Sequence, residues 1–183
     1  MKPEECILFS GAAKGAEAAF GAAAEKWGVE EVNFTFEGHA DARTRGIRVL
    51  TQVELKDGDV SLAYVGKLMN RSFPNTESFR RILQCIWHQI NSGQQIFIIG
   101  HILDNNTVKG GTGWGAEFAK LCNKQPLVFD QDVDKWFRWT GKSWEGESAP
   151  AIERAAIAGG GTRVLKDNGL AAINDLFTRS FGG

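Results

Sequence analysis

Gln95–Gly100 reads QIFIIG, four consecutive apolar residues closed by a glycine and preceded by the polar pair Gly93-Gln94. A short apolar run between turn signals predicts a strand covered on both faces, which is the environment of a central strand in a parallel sheet. The flanking sequence agrees with this. Upstream, Thr76 and Glu77 open a segment carrying Phe79, Ile82, Leu83, Ile86, Trp87 and Ile90 at helical spacing, and Gly93 ends it. Downstream, a polar stretch (His101–Lys109) leads into Gly110-Gly111-Thr112-Gly113-Trp114-Gly115, a helix through Asn123, and a second apolar strand, Leu127–Asp130. Helix, strand, helix, strand predicts parallel strands with helices packed against them.

Both ends of the chain repeat this alternation. Cys6–Phe9 is a short apolar run that stops at Ser10-Gly11, and Lys14–Trp27 follows as a helix with Phe20, Ala23, Ala24 and Trp27 on one face. Val32–Phe36 alternates as a strand, whereas Asp41–Val53 has no decisive pattern. Val60, Tyr64, Val65 and Leu68 recur at helical spacing between Asp59 and Asn70. Lys135–Glu145 predicts a β-hairpin turning at Thr140-Gly141-Lys142, with Trp136, Trp139 and Trp144 free to pack across the strands. Ala155–Ala158 opens onto Gly159-Gly160-Gly161-Thr162-Arg163, and Asp167–Arg179 is an amphipathic helix. The expected fold is a Rossmann-like three-layer α/β/α domain over residues 1–183, with a mostly parallel sheet and an appended hairpin.

Composition narrows the function classes. The formal charge of -1 over 183 residues excludes the broad basic face that duplex nucleic acid requires. Cys6, Cys85 and Cys122 are odd in number and scattered in apolar surroundings, as reduced core cysteines are. The start MKPEECILF has no secretory leader pattern, and no apolar run reaches the ~18 residues of a membrane span. A cytoplasmic protein is expected, with no membrane partner.

In an open α/β sheet, ligands bind beyond the carboxyl ends of the strands, where helix N-termini present amides with partial positive charge. Three loops qualify: Ser10–Glu17 (SGAAKGAE), Gly110–Glu117 (GGTGWGAE) and Gly159–Arg163 (GGGTR). Glycines let the backbone approach a phosphate, and Ser10, Thr112 and Thr162 add hydroxyls. Neither the Walker A pattern nor the dinucleotide fingerprint is satisfied. Asp130, at a strand end, is the one residue placed to hold a ribose in a nicotinamide reading.

The segments FSGAAKGAE and GGTGWGAE resemble the first and second motifs of the SLOG superfamily, which includes the Lonely Guy phosphoribohydrolases and the molybdenum-carrier-like proteins. The order of Ser10–Glu17, Val108–Trp114, Val128–Gln131 and Gly159–Arg163 is most similar to an uncharacterised phage and bacterial branch, and the resemblance covers most of the chain. Lonely Guy enzymes carry a proline, two glycines, a variable residue, Gly-Thr and a glutamate three residues further on. Here Gly110, Gly111, Gly113 and Glu117 agree, while Lys109 replaces the proline and Trp114 the threonine. The resemblance implies a nucleotide-ligand pocket, an acid at Glu17 facing it, and a homo-oligomer, in the simplest case a homodimer.

The expected function is binding of a nucleotide or related phosphorylated small molecule, as sensor or carrier. The expected ligand-binding residues are Ser10, Gly11, Lys14, Gly15, Glu17, Gly110, Gly111, Thr112, Gly113, Thr162 and Arg163. Arg163 supplies a planar fork suited to phosphate. The alternative is a nucleotide N-glycosidic hydrolase using Glu117 as its catalytic carboxylate. A third reading makes the aromatic hairpin a protein interface. Neither a cofactor nor a metal is expected, since His39, His88 and His101 lack metal-like spacing with the cysteines. His39 and His101 each follow a strand-ending glycine, which places them near the crevice edge. Arg71, Arg80 and Arg81 read as a solvated helix face.

Overall fold

The computed structural model describes residues 1–183. The elements run β1 (Ile7–Gly11), α1 (Ala16–Trp27), β2 (Glu30–Thr35), β3 (Ile47–Val49), α2 (Gln52–Leu55), α3 (Asp59–Leu68), α4 (Glu77–Ser92), β4 (Gln95–Gly100), α5 (Thr112–Leu121), β5 (Leu127–Asp130), β6 (Lys135–Trp139), β7 (Trp144–Glu147), β8 (Ala156–Gly161) and α6 (Asp167–Phe181). The eight strands form one sheet in the order β3-β2-β1-β8-β4-β5-β6-β7. The first six of that order are parallel, and β6 and β7 close one edge as the antiparallel hairpin. No helix is long and apolar enough to cross a membrane.

Period-two alternation sorts the strand side chains onto two covered faces. On one face Leu8, Phe97, Ile99, Leu127, Phe129 and Ile157 meet α1 and α6 through Phe20, Ile173, Leu176 and Phe177. On the other, Ile96, Ile98, Val128 and Ala158 meet α3, α4 and α5 through Leu62, Val65, Leu83, Ile90 and Phe118. Every residue of β4 is buried, as expected of a central strand.

Four sequence expectations change. The Gly159–Gly161 run is not a loop but the second half of β8, where the missing side chains admit the Phe20 ring and the backbone of β4. Asp41–Val53 holds β3 and the start of α2, the latter opened by a capping box between Thr51 and Glu54. Helix α3 buries Leu62 and Val65 and turns Val60, Tyr64 and Leu68 outward, so its inward stripe is displaced from the one the spacing suggested. Cys122 is exposed, while Cys6 and Cys85 are buried, and all three are free.

Candidate functional site

Because β1, β4 and β8 are adjacent and parallel in the order β1-β8-β4, the loops that follow them leave the sheet on the same edge. Connections run outward in opposite directions from this trio, β1 to β2 and β4 to β5, so the edge above β8 is the topological switch point. A cavity of about 540 Å³ opens there, lined from the first loop by Ala13 and Glu17, from the second by His101 and Lys109–Thr112, and from the third by Gly161–Val164. Phe79, Ile82 and Ile86 of α4 form its apolar wall. Segments that lie far apart in the chain thus share one cavity.

The second loop supplies the clearest anion-binding geometry. Helix α5 has no side-chain cap, and the amides of Gly110, Gly111 and Thr112 donate to no acceptor of the chain. Such amides carry the positive end of the helix dipole. Arg71 holds this loop in place: its guanidinium donates to Gly110 O (3.1 Å), Thr107 Oγ1 (3.1 Å) and Val108 O (3.0 Å). Arg71 is therefore a loop-positioning residue rather than part of a solvated face. Gly113 makes room for this arrangement, since a Cβ there would lie 2.2 Å from Val108 O and 2.4 Å from Arg71 Nη1.

The first and third loops support each other. Gly15, at φ +99°, lets the backbone of Thr162 and Arg163 approach within the space a Cβ would fill, and Ala16 N donates to Thr162 O at 2.9 Å. Ser10 is fully buried and its hydroxyl donates to Gly159 O at 2.5 Å, so it ties β1 to β8. Gly11 clears the space that the Glu17 carboxylate occupies. Lys14 is exposed and does not line the cavity. Of the expected ligand-binding residues, Glu17, Gly110, Gly111, Thr112, Thr162 and Arg163 line the cavity; Ser10, Gly11, Gly15 and Gly113 shape it from behind.

Of the two carboxylates expected at the cavity, one lines it and the other does not. Glu117 points along α5 to Lys120 (3.1 Å), whose ammonium also sits over the rings of Trp139 (3.9 Å) and Trp144 (4.9 Å); it does not line the cavity. Glu17 does, and it is buried, accepting hydrogen bonds from Gln89 Nε2 (3.1 Å) and Ala13 N (3.1 Å). Burial raises its carboxyl above the usual range, opposed by those two hydrogen bonds and by the positive charge of His39 and Arg163. Asp130 is not free for a ribose: its oxygens accept from the amides of Ile102 (2.8 Å), Asp132 (2.9 Å) and Val133 (3.3 Å). His101, Asp130 and Asp132 bring potential ligand atoms within 4.8 Å of one another, but Lys166 Nζ already lies 2.6 Å from Asp132 Oδ1. That cluster is explained as the lock of the turn after β5.

Compared with family models, with curated proteins and with solved structures, the chain matches none of them. What the molecule defines by itself is a class: an open, mostly parallel α/β domain with a glycine-loop cavity at its switch point.

Proposed function

We propose that this protein binds a nucleotide or related phosphorylated small molecule in the cavity, as a sensor or carrier of the SLOG type. The observation that carries this reading is the convergence of two glycine loops and the carboxyl end of β8 on one cavity, with the unused amides of Gly110–Thr112 and the Arg163 side chain at its rim. Amides at a helix N-terminus and a planar guanidinium are both phosphate donors. The Phe79–Ile82–Ile86 wall offers an apolar surface to the remainder of the ligand. The hydrolytic reading loses its proposed carboxylate, because Glu117 is engaged by Lys120 outside the cavity. The same proposal takes the protein as cytoplasmic, in keeping with its three free cysteines, and as a homo-oligomer.

Native mass spectrometry of freshly purified protein tests retained ligand and subunit count together. Arg163 makes no hydrogen bond or ion pair within the chain, so Arg163→Ala leaves the fold intact. Losing one charged hydrogen bond to phosphate costs about 1.5–3 kcal/mol, or roughly 10- to 100-fold in affinity. Glu117→Gln is expected to leave affinity unchanged. Unchanged binding in Arg163→Ala, or no stabilisation by any nucleoside phosphate in a thermal-shift series, refutes the proposal.

A further inference from the structure

Behind Glu17 lies a second, much smaller space of about 10 Å³, lined by Ala13, Glu17, Phe34, Phe36, His39, Ile82, Cys85 and Gln89. That is close to the room one water needs. Polar groups face it from two sides: the Glu17 carboxyl from α1, fixed by Gln89 of α4, and the His39 imidazole from the segment between β2 and β3. No hydrogen bond joins Glu17 to His39 directly. His39 Nδ1 lies 2.6 Å from Asp41 Oδ1, and Thr35 Oγ1 donates to the same oxygen at 2.7 Å. A carboxylate at that distance keeps the proton on Nδ1 and leaves Nε2 as the basic nitrogen.

The segment carrying His39 and Asp41 has no helix or strand of its own, yet it is firmly anchored. Arg43 donates to Glu31 Oε1 (2.5 Å), Glu25 Oε2 (2.9 Å) and Gly21 O (3.2 Å), with the Glu31 side chain completely buried. Asn33 Nδ2 donates to Glu31 Oε2 (2.9 Å) and Arg45 O (2.8 Å), and Ala42 N donates to Ala12 O in the first glycine loop at 2.6 Å. A buried ion pair is a poor source of net stability, and fixing a geometry is its best-attested use. What this network fixes is the position of the His39–Asp41 pair beside the smaller pocket that Glu17 also lines.

We propose that Glu17, His39 and Asp41 form an acid–base relay, in which Glu17 and His39 exchange a proton through one water in the small chamber they share. In one direction that water takes the proton of the Glu17 carboxyl as it gives one to His39 Nε2, leaving carboxylate and imidazolium, with Nδ1–H held on Asp41. The reverse transfer restores the carboxyl. No other reactant is consumed. The relay equips the cavity for proton transfer to or from a bound molecule, and it stands whether or not that molecule carries a phosphate. The charged or titratable groups facing the pair are Arg163 from the third loop, Cys85 from α4 and Asp41 itself, with Arg81 of α4 beyond the Phe36 ring.

The test is side-chain ¹³C NMR of glutamate-labelled protein, with Glu17 assigned by loss of its signal in Glu17→Gln. The wild-type Glu17 signal reports protonation of that carboxyl. In His39→Gln its curve is expected to move to higher pH, since an opposing positive charge is gone. Arg163→Gln moves the curve the same way through general electrostatics, and the relay itself is read from Cys85→Val. Cys85→Val fills the chamber while both titrating groups remain, so the single averaged Glu17 line is expected to broaden or split as proton exchange slows. A Glu17 curve identical in wild type and His39→Gln, or a Cys85→Val line identical to wild type, overturns the proposal.

Discussion

Replacing each glycine of the Gly159-Gly160-Gly161 run by alanine separates three environments within one strand. At Gly161 the backbone has φ +142°, and a Cβ would lie 2.1 Å from Ile99 O and 2.7 Å from Ile99 N in the neighbouring β4. Neither atom is at the end of a flexible side chain, so β8 and β4 must part where Thr162 N donates to Ile99 O at 2.8 Å. Backbone strain of about 1–3 kcal/mol, overpacking of about 1–3 kcal/mol and one lost hydrogen bond of about 1 kcal/mol together put Gly161→Ala at roughly 3–7 kcal/mol. For a domain of this size that lowers Tm by roughly 6–28 °C. At Gly159 the new methyl would lie 2.6 Å from Phe20 Cγ and 3.0 Å from Leu8 Cδ1, a side-chain clash costing about 1–3 kcal/mol. At Gly160 it meets only Gln89 Oε1 at 3.3 Å, the tip of a side chain that can shift, and the change stays within about 1 kcal/mol of wild type. Urea and thermal unfolding followed by circular dichroism measure the series. If Gly161→Ala is as mild as Gly160→Ala, the assignment of this run to a strand pressed against β4 is wrong.

Three other outcomes follow from the geometry. Because burial raises Glu17, the folded state binds more protons than the unfolded state above the ordinary glutamate range. Wild type should therefore lose stability relative to Glu17→Gln as pH rises from the unfolded value through the raised folded one, and urea midpoints at acid and neutral pH read this difference. Arg43→Met leaves the buried Glu31 carboxylate without its closest partner, and is expected to cost about 3–5 kcal/mol in urea unfolding. Lys120→Met removes the cation over Trp139 and Trp144, worth about 0.5–2 kcal/mol, and loosens the hairpin from α5, which tryptophan fluorescence should register as a red shift at unchanged far-ultraviolet signal.

The layered α/β architecture is written in local patterns: QIFIIG and Leu127–Asp130 are strands at the residues their apolar runs mark, and Thr76 and Gly93 bound α4 where expected, although Thr76 makes no side-chain cap and Gly93 is extended. Strand order is not local, and nothing in Ala155–Ala158 announces that this last strand enters between β1 and β4. The glycine run misled because glycine signals freedom in a chain read alone; here it is forced by neighbours that only the tertiary structure brings, Phe20 and Ile99. The convergence of the glycine loops was legible from strand-to-helix order. Which acid enters the cavity was not, since both follow a glycine loop, and where each helix begins is not marked: Glu17 falls in the first turn of α1, whereas Glu117 lies beyond the first turn of α5. Arg71 and the His39–Asp41 pair lie in irregular segments whose partners are distant in sequence, so no periodicity marks them; the signal available for His39 was its place just after the β2 turn.

The placement of β8 has a consequence for how the molecule is made. A nascent chain that has emerged from the ribosome only as far as the hairpin holds two separate half-sheets, β1–β3 and β4–β7, with facing open edges. Neither can be zipped to the other until Ala156–Gly161 arrives as the keystone, and the same stretch brings Thr162 and Arg163 to the rim. Completion of the cavity rim and closure of the sheet are therefore one late event in biosynthesis, and partly made chains expose two unsatisfied edges that invite chaperones or wrong pairings.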